Sequence, residues 1–221
     1  MNLVRAAFDK ALLLQGTVIE KHIARARQRN PKASPTDVVR NLEWIYRTAQ
    51  TGTGAAVGAA AAAPGVGTGV GLAMAGGELL SSLQLTTLFV LSLAQVHGVR
   101  IDELERRQTL VMGILLGGGG GETVQKVAER TGQHWAKQIV ANVPRESLKK
   151  INGVLGRNFV TLYGTRQGIV VLGKVVPFGI GAVIGGGANL LSAEAAVRAS
   201  RRAFGSAPSS WTATLTPEQR N

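Results

Sequence analysis

The stretch Ala55–Gly77, AAVGAAAAAPGVGTGVGLAMAGG, decides how the rest of this chain is read. It carries no charge and little side-chain functionality, so it is a phosphate-cradling glycine loop, a membrane hairpin or a closely packed helical core. A phosphate loop requires GxxxxGK[ST], whose lysine reaches the phosphates, and no lysine or arginine lies between Thr48 and Val99. A dinucleotide fingerprint also fails. GVGTGVG has the wrong glycine spacing and follows an alanine-rich run that favours helix over the required strand. Hairpin and core remain.

Length separates these two in part. The uncharged run Thr48–Gly77 is 30 residues, which as one helix would measure about 45 Å, more than the ~30 Å of a bilayer's hydrocarbon. Pro64 removes a backbone donor inside the run, and Gly65 and Gly67 beside it make PGVGTGVG a turn. The arm before the proline, Thr48–Ala63, is then about 24 Å long, too short to span alone. The second arm starts near Leu72, and its uncharged portion Leu79–Val99 is 21 residues, just enough to span, although Ser81, Ser82, Gln84, Thr86 and Thr87 dilute it. A similar arrangement recurs near the C-terminus. Val175–Ala193 is an uncharged run of 19 residues broken at Pro177 and followed by Gly179, Gly181, Gly185, Gly186 and Gly187. Each region ends on a leucine pair, Leu79–Leu80 and Leu190–Leu191, a loose pseudo-repeat whose proline-to-leucine spacings differ by two residues.

Around these hairpins the chain reads as amphipathic helix. TVIEKHIARARQRNP sets Val18, Ile19, His22, Ile23 and Ala26 on one face and Lys21, Arg25 and Arg29 elsewhere, ending before Pro31. SPTDVVRNLEWIYRTAQ opens with a helix-start signature: Ser34 as cap, Pro35 at the first helical position and Asp37 three residues beyond the cap. Val38, Leu42, Ile45 and Ala49 give that helix an apolar stripe. Gly113, Gly117 and Gly121 recur every four residues, which permits close backbone approach on one face. A further amphipathic helix runs through Val124, Val127, Trp135 and Ile139, and a short basic one lies around RESLKKIN. The tail GSAPSSWTATLTPEQRN is polar and proline-containing, with Trp211 as a candidate docking anchor. The expected organisation is a basic N-terminal amphipathic helix over 1–33, a helical domain over 34–205 and a disordered tail over 206–221.

Composition narrows the function. A chain of 221 residues buries one substantial core. Without cysteine it has no disulfides, thiolate zinc sites or cysteine nucleophiles. Arg5, Asp9 and Lys10 interrupt the N-terminal apolar run that a secretory signal needs. The formal charge of +12 favours an anionic partner, and its placement indicates which. Residues 1–47 hold nine basic and four acidic groups, residues 122–174 nine and three, and residues 48–99 only Glu78. Positive charge therefore flanks the apolar arms, as it does beside a membrane. Aromatic residues are only 5% of the chain, few for nucleic-acid stacking. His22, His97 and His134 sit in separate segments without HExxH, no GxSxG elbow exists, and Asp102, Glu103 and Glu105 are neutralised by Arg100, Arg106 and Arg107. No catalytic, cofactor-binding or metal-binding residue is expected, and the chain is read as non-enzymatic.

The order of TGTGAAVGAAAAAPGVGTGVGLAMAGGELL, VHGVRIDELERRQTLVMGILLGG, LKKINGVLGRNFVTLYGTRQGIVVLGKVVPFGIGAVIGGGAN and AAVRASRRAF resembles the bacterial EcsC family over roughly residues 34–204. Lys150, Asn152, Gly164, Gly168, Lys174, Pro177, Gly181 and Asn189 carry the most diagnostic part. The resemblance implies an α-helical, membrane-associated bacterial protein, with some relatives encoded beside transporter genes, and supplies no catalytic residues. Together these readings lead to an all-α bundle with two Gly/Pro-broken apolar hairpins, turning at Pro64, Gly65 and Gly67 and at Pro177, Gly179 and Gly181, and either embedded in a membrane or re-entrant. It is expected at the cytoplasmic face of the bacterial membrane as an accessory or scaffolding protein, touching anionic lipid through Lys21, Arg25, Arg29, Arg201 and Arg202. The alternatives are a soluble helical domain that binds lipid or another apolar ligand, and a pore-forming protein. A protein partner and the oligomeric state stay open.

Overall fold

The computed structural model describes residues 2–14, 16–28, 30–61, 68–99, 102–117, 134–137, 143–163 and 180–211. The fold is all-α, with no strand among the described residues. The helices are α1 (Asn2–Leu12), α2 (Gly16–Arg27), α3 (Pro35–Ala61), α4 (Thr68–Val96), α5 (Leu104–Gly117), α6 (Arg145–Asn158), continued by a π-helical turn Phe159–Tyr163, and α7 (Ile180–Phe204).

The start of α3 forms as its sequence dictates. Ser34 Oγ accepts the Asp37 backbone N–H at 3.2 Å while Asp37 Oδ2 takes the Ser34 backbone N–H at 3.1 Å, a reciprocal box that satisfies two donors at the helix start. The Ser34 bonds hold the Asp37 carboxyl below its ordinary pKa, with Arg40 adding a smaller effect. Val38 and Leu42 on the anticipated stripe are fully buried.

α3 lies between α4 and α7 and runs antiparallel to both. Toward α4, Tyr46 stacks on Phe89 with ring centroids 4.4 Å apart, its hydroxyl is 2.9 Å from Thr86 Oγ1, and one turn later Gln50 Nε2 donates to Ser82 O at 3.1 Å. Toward α7, Arg201 reaches Glu43, Arg47 reaches Glu194, and Asn189 Nδ2 donates to the Gln50 carbonyl at 3.1 Å.

The hydrophobic α4 is the centre of the molecule: α1, α2, α3, α5 and α7 all pack against it. Leu83, Phe89, Val90, Leu91, Ala94 and Val96 are at most 1% exposed. Each large apolar side chain so buried stabilises the fold by roughly 2 kcal/mol. Its segment Gly77–Val96 is long and apolar enough to cross a membrane, yet 67% of it is buried inside the protein. A helix that is hydrophobic all round belongs in a protein core or in lipid, and here other helices cover it.

The expected single helix over 1–33 is corrected to two. α1 and α2 break around Leu13–Gly16, and both enter the common core through Phe8, Leu12, Ile19 and Ile23. Arg107 on α5 fixes the break, its Nη1 donating to the carbonyls of Leu14 at 2.5 Å and Leu12 at 3.3 Å, a cation placed on unsatisfied C-terminal carbonyls. Gly113 does permit a close approach, but by a side chain: an added Cβ would lie 2.6 Å from Cη2 of Trp135. The turn residues Pro64, Gly65 and Gly67 lie outside the described residues, as do Pro177, Gly179, Gly121 and Arg29; Gly181 falls in the first turn of α7.

Candidate functional site at one end of the bundle

Three helix ends meet at one pole. The end of α2 lies beside the start of α3, where Asn41 Nδ2 donates to the Ala26 carbonyl at 2.6 Å. The antiparallel α7 brings its last turns beside the first turns of α3 through Arg201 and Glu43. Beyond α7, Trp211 Nε1 donates to the Ala33 carbonyl at 3.1 Å, and the Arg27 guanidinium lies 4.4 Å from the centre of its ring. The disordered tail expected from residue 206 is corrected to this extent: it docks as far as Trp211, because an indole offers an electron-rich ring face to a cation and an N–H donor to a carbonyl. Residues 212–221 lie outside the described residues.

This pole carries Arg25, Arg27, Lys32, Arg40, Arg198, Arg201 and Arg202, all exposed except the half-buried Arg27. The acids on the same turns of α3 and α7 are engaged: Asp37 by Ser34, Glu43 by Arg201 and Arg47, and Glu194 by Arg47. The Arg47 hydrogen bond, with help from nearby Arg198 and Arg201, holds the Glu194 carboxyl below its ordinary pKa. The result is an excess of positive charge at the surface, with Glu43 buried beneath it, Glu194 half-covered and Asp37 exposed among the cations. Basic side chains beside the C-terminal carbonyls of α2 and α7 also complement those helix dipoles.

Of the residues expected at a membrane surface, Arg25 and Arg202 stand exposed at the pole, Lys21 is exposed one turn back on α2, and Arg29 lies outside the described residues. Arg201 differs. Its Nε is 2.8 Å from Oε1 and its Nη2 2.5 Å from Oε2 of Glu43, whose side chain is 4% exposed, so it ties α7 to α3. Sequence reasoning passed over Arg40, Arg198 and Trp44. Trp44 is 55% exposed and sits one turn from Arg40 on the open face of α3. The apolar stripe Val38–Leu42–Ile45–Ala49 left position 44 outside it, which was the available signal.

Two residues that carry the family resemblance hold helices together. Asn189 on α7 donates to Glu78 Oε1 at 3.0 Å as well as to Gln50, and Asn152 on α6 donates to the Glu105 carbonyl at 2.9 Å and accepts from the Thr109 hydroxyl at 2.7 Å. No cluster of three or more metal-ligating side chains exists among the described residues. His97 and His134 do approach the same turn: His97 stacks on Phe204 at 5.1 Å between centroids, and the His134 backbone N–H bonds the Arg202 carbonyl at 3.4 Å.

The fold and this pole define an all-α helical protein with one strongly basic end. The chain matches no family model, no curated protein and no solved structure.

Proposed function

We propose that this is a non-enzymatic, EcsC-like protein that associates peripherally with the anionic cytoplasmic leaflet of a bacterial membrane and acts there as an accessory or scaffolding component. The observation that carries the reading is the gathering of exposed Arg25, Arg40, Arg198 and Arg202 at one end of the bundle above acids that are already paired. Near an anionic surface each such cation contributes about 1 kcal/mol, and several acting together suffice for reversible attachment. The covering of α4 by five other helices supports attachment over insertion. It also weighs against the pore-forming alternative, which would have to dismantle that core.

Co-sedimentation with vesicles tests the proposal. Binding to phosphatidylglycerol-rich vesicles at low salt, release at high salt and no binding to phosphatidylcholine alone are expected. Membrane-bound protein is expected to leave in alkaline carbonate. Extraction by detergent only would overturn the peripheral reading, and failure to bind at low salt would overturn membrane association altogether.

A further inference from the structure

We infer that Trp44 is the interfacial anchor of this pole, and that the protein lies on an anionic bilayer with the open face of α3 toward the lipid. The inference rests on the membrane-surface reading and adds to it an orientation and a residue. Trp44 is 55% exposed on a helix otherwise packed from three sides: Tyr46 turns toward α4, Glu43 and Arg47 toward α7, and Asn41 toward α2, while Val38 and Leu42 are buried in the core. The open strip between them consists of Thr36, Asp37, Arg40, Trp44 and Thr48, all exposed.

The composition of that strip selects the partner. A protein–protein hot spot centred on tryptophan needs a surrounding apolar core from which water is excluded, and here the neighbours are hydroxyls and charges. A single indole beside a cation and hydroxyls is instead what the headgroup region accommodates, with the ring at the level of the glycerol backbone, its N–H solvated and the guanidinium group beside phosphates. Arg40, one turn before Trp44, supplies the nearest such cation. Asp37, bonded through Oδ2 to Ser34, stays exposed and ionised beside Arg40, so the excess positive charge of this surface comes from Arg25, Arg198 and Arg202 around the strip.

The test compares the intact wild-type chain with Trp44→Phe and Trp44→Ala on phosphatidylglycerol vesicles, with and without bromine on the lipid chains just below the headgroups. Trp135 is 6% exposed and Trp211 is held on Ala33 and Arg27, so the quenching that disappears in Trp44→Phe reports Trp44 alone. Brominated lipid is expected to quench the wild type and not Trp44→Phe, and Trp44→Ala is expected to weaken vesicle binding on the order of tenfold with unchanged thermal unfolding. Binding without quenching of Trp44, or with full affinity in Trp44→Ala, overturns the anchor and leaves membrane association standing. No vesicle binding by any of the three, including the case in which they retain duplex DNA instead, overturns the membrane reading and this inference with it.

Discussion

Arg201 and Glu43 lie 158 residues apart and form a two-contact ion pair, 2.8 and 2.5 Å, that joins the end of α7 to the start of α3. The carboxylate is buried and the guanidinium half open, so the arginine serves chiefly to neutralise a charge the fold has already enclosed.

Removing Arg201 should therefore cost far more stability than removing its neighbour. Arg201→Ala leaves Glu43 with Arg47 as its described partner, 3.4 Å away, and is expected to destabilise by about 2–4 kcal/mol. Arg202→Ala, on an exposed side chain, should stay within about 0.5 kcal/mol of wild type. Urea unfolding of the two variants decides the point; equal midpoints would mean that the pair carries no structural weight.

Gly205 ends α7 in the left-handed region, φ +74°, with its N–H on the Arg201 carbonyl at 3.0 Å, and the His134 ring occupies the space a side chain would need. Gly205→Ala combines backbone strain with overlap and should cost about 2–4 kcal/mol. His134→Ala in the same chain removes the overlap and should recover a substantial part of the loss, leaving about 1 kcal/mol of strain. Strict additivity of the two substitutions in a double-mutant cycle would contradict that contact.

Stability should fall as solution is acidified below neutrality. Burial, chiefly, with the charges of Lys137 and His134 contributing, keeps the His97 imidazole below its ordinary pKa, against the opposing bonds to backbone carbonyls. Burial and then Arg25 act in the same direction on His22. Below about pH 6.5 the unfolded chain takes up protons that the folded chain refuses, so this stability is full above that value and is lost as pH drops toward the depressed folded pKa. His97→Phe keeps the ring stacked on Phe204, and the Leu93 carbonyl keeps its bond from the residue 97 backbone N–H. A flatter decline of melting temperature between about pH 7 and about pH 5 is expected for that variant. An identical slope would show that His97 does not titrate with unfolding.

Trp211→Ala removes one hydrogen bond and one cation–π contact and should cost about 1–2 kcal/mol. Because Arg27 shares its cation–π contact with the same indole and otherwise makes one exposed bond to the Pro31 carbonyl at 3.3 Å, Arg27→Ala added to it should cost less than Arg27→Ala alone. Faster proteolysis of the tail in Trp211→Ala, with the helical core intact, is the accompanying readout; an unchanged cleavage rate would mean that the indole does not hold the tail.

Much of the helical layout was legible before any tertiary contact was known. Ser34, Pro35 and Asp37 marked the start of α3 because capping depends on groups three residues apart, and the stripe Val38–Leu42 marked its buried face because helical periodicity is local. The break between α1 and α2 was missed. The signal there is weak, and the carbonyls it exposes are satisfied by Arg107, which is distant in sequence. Trp44 was missed for a related reason: whether an off-stripe tryptophan is covered depends on which neighbours flank its helix.

By itself the sequence determined an all-α chain, the absence of a phosphate-loop lysine from the glycine-rich stretch Ala55–Gly77, and an excess of positive charge beside its uncharged arms, since composition and local periodicity suffice for each. Tertiary structure alone decided that Gly77–Val96 is enclosed by α1, α2, α3, α5 and α7. An all-round apolar helix satisfies lipid and protein equally, and only the presence of partners around it distinguishes them. Likewise Arg201 and Arg202 are equivalent as letters, but consecutive helix positions point about 100° apart. One therefore faces the buried Glu43 and neutralises it, while the other stands exposed, with no ion pair among the described residues.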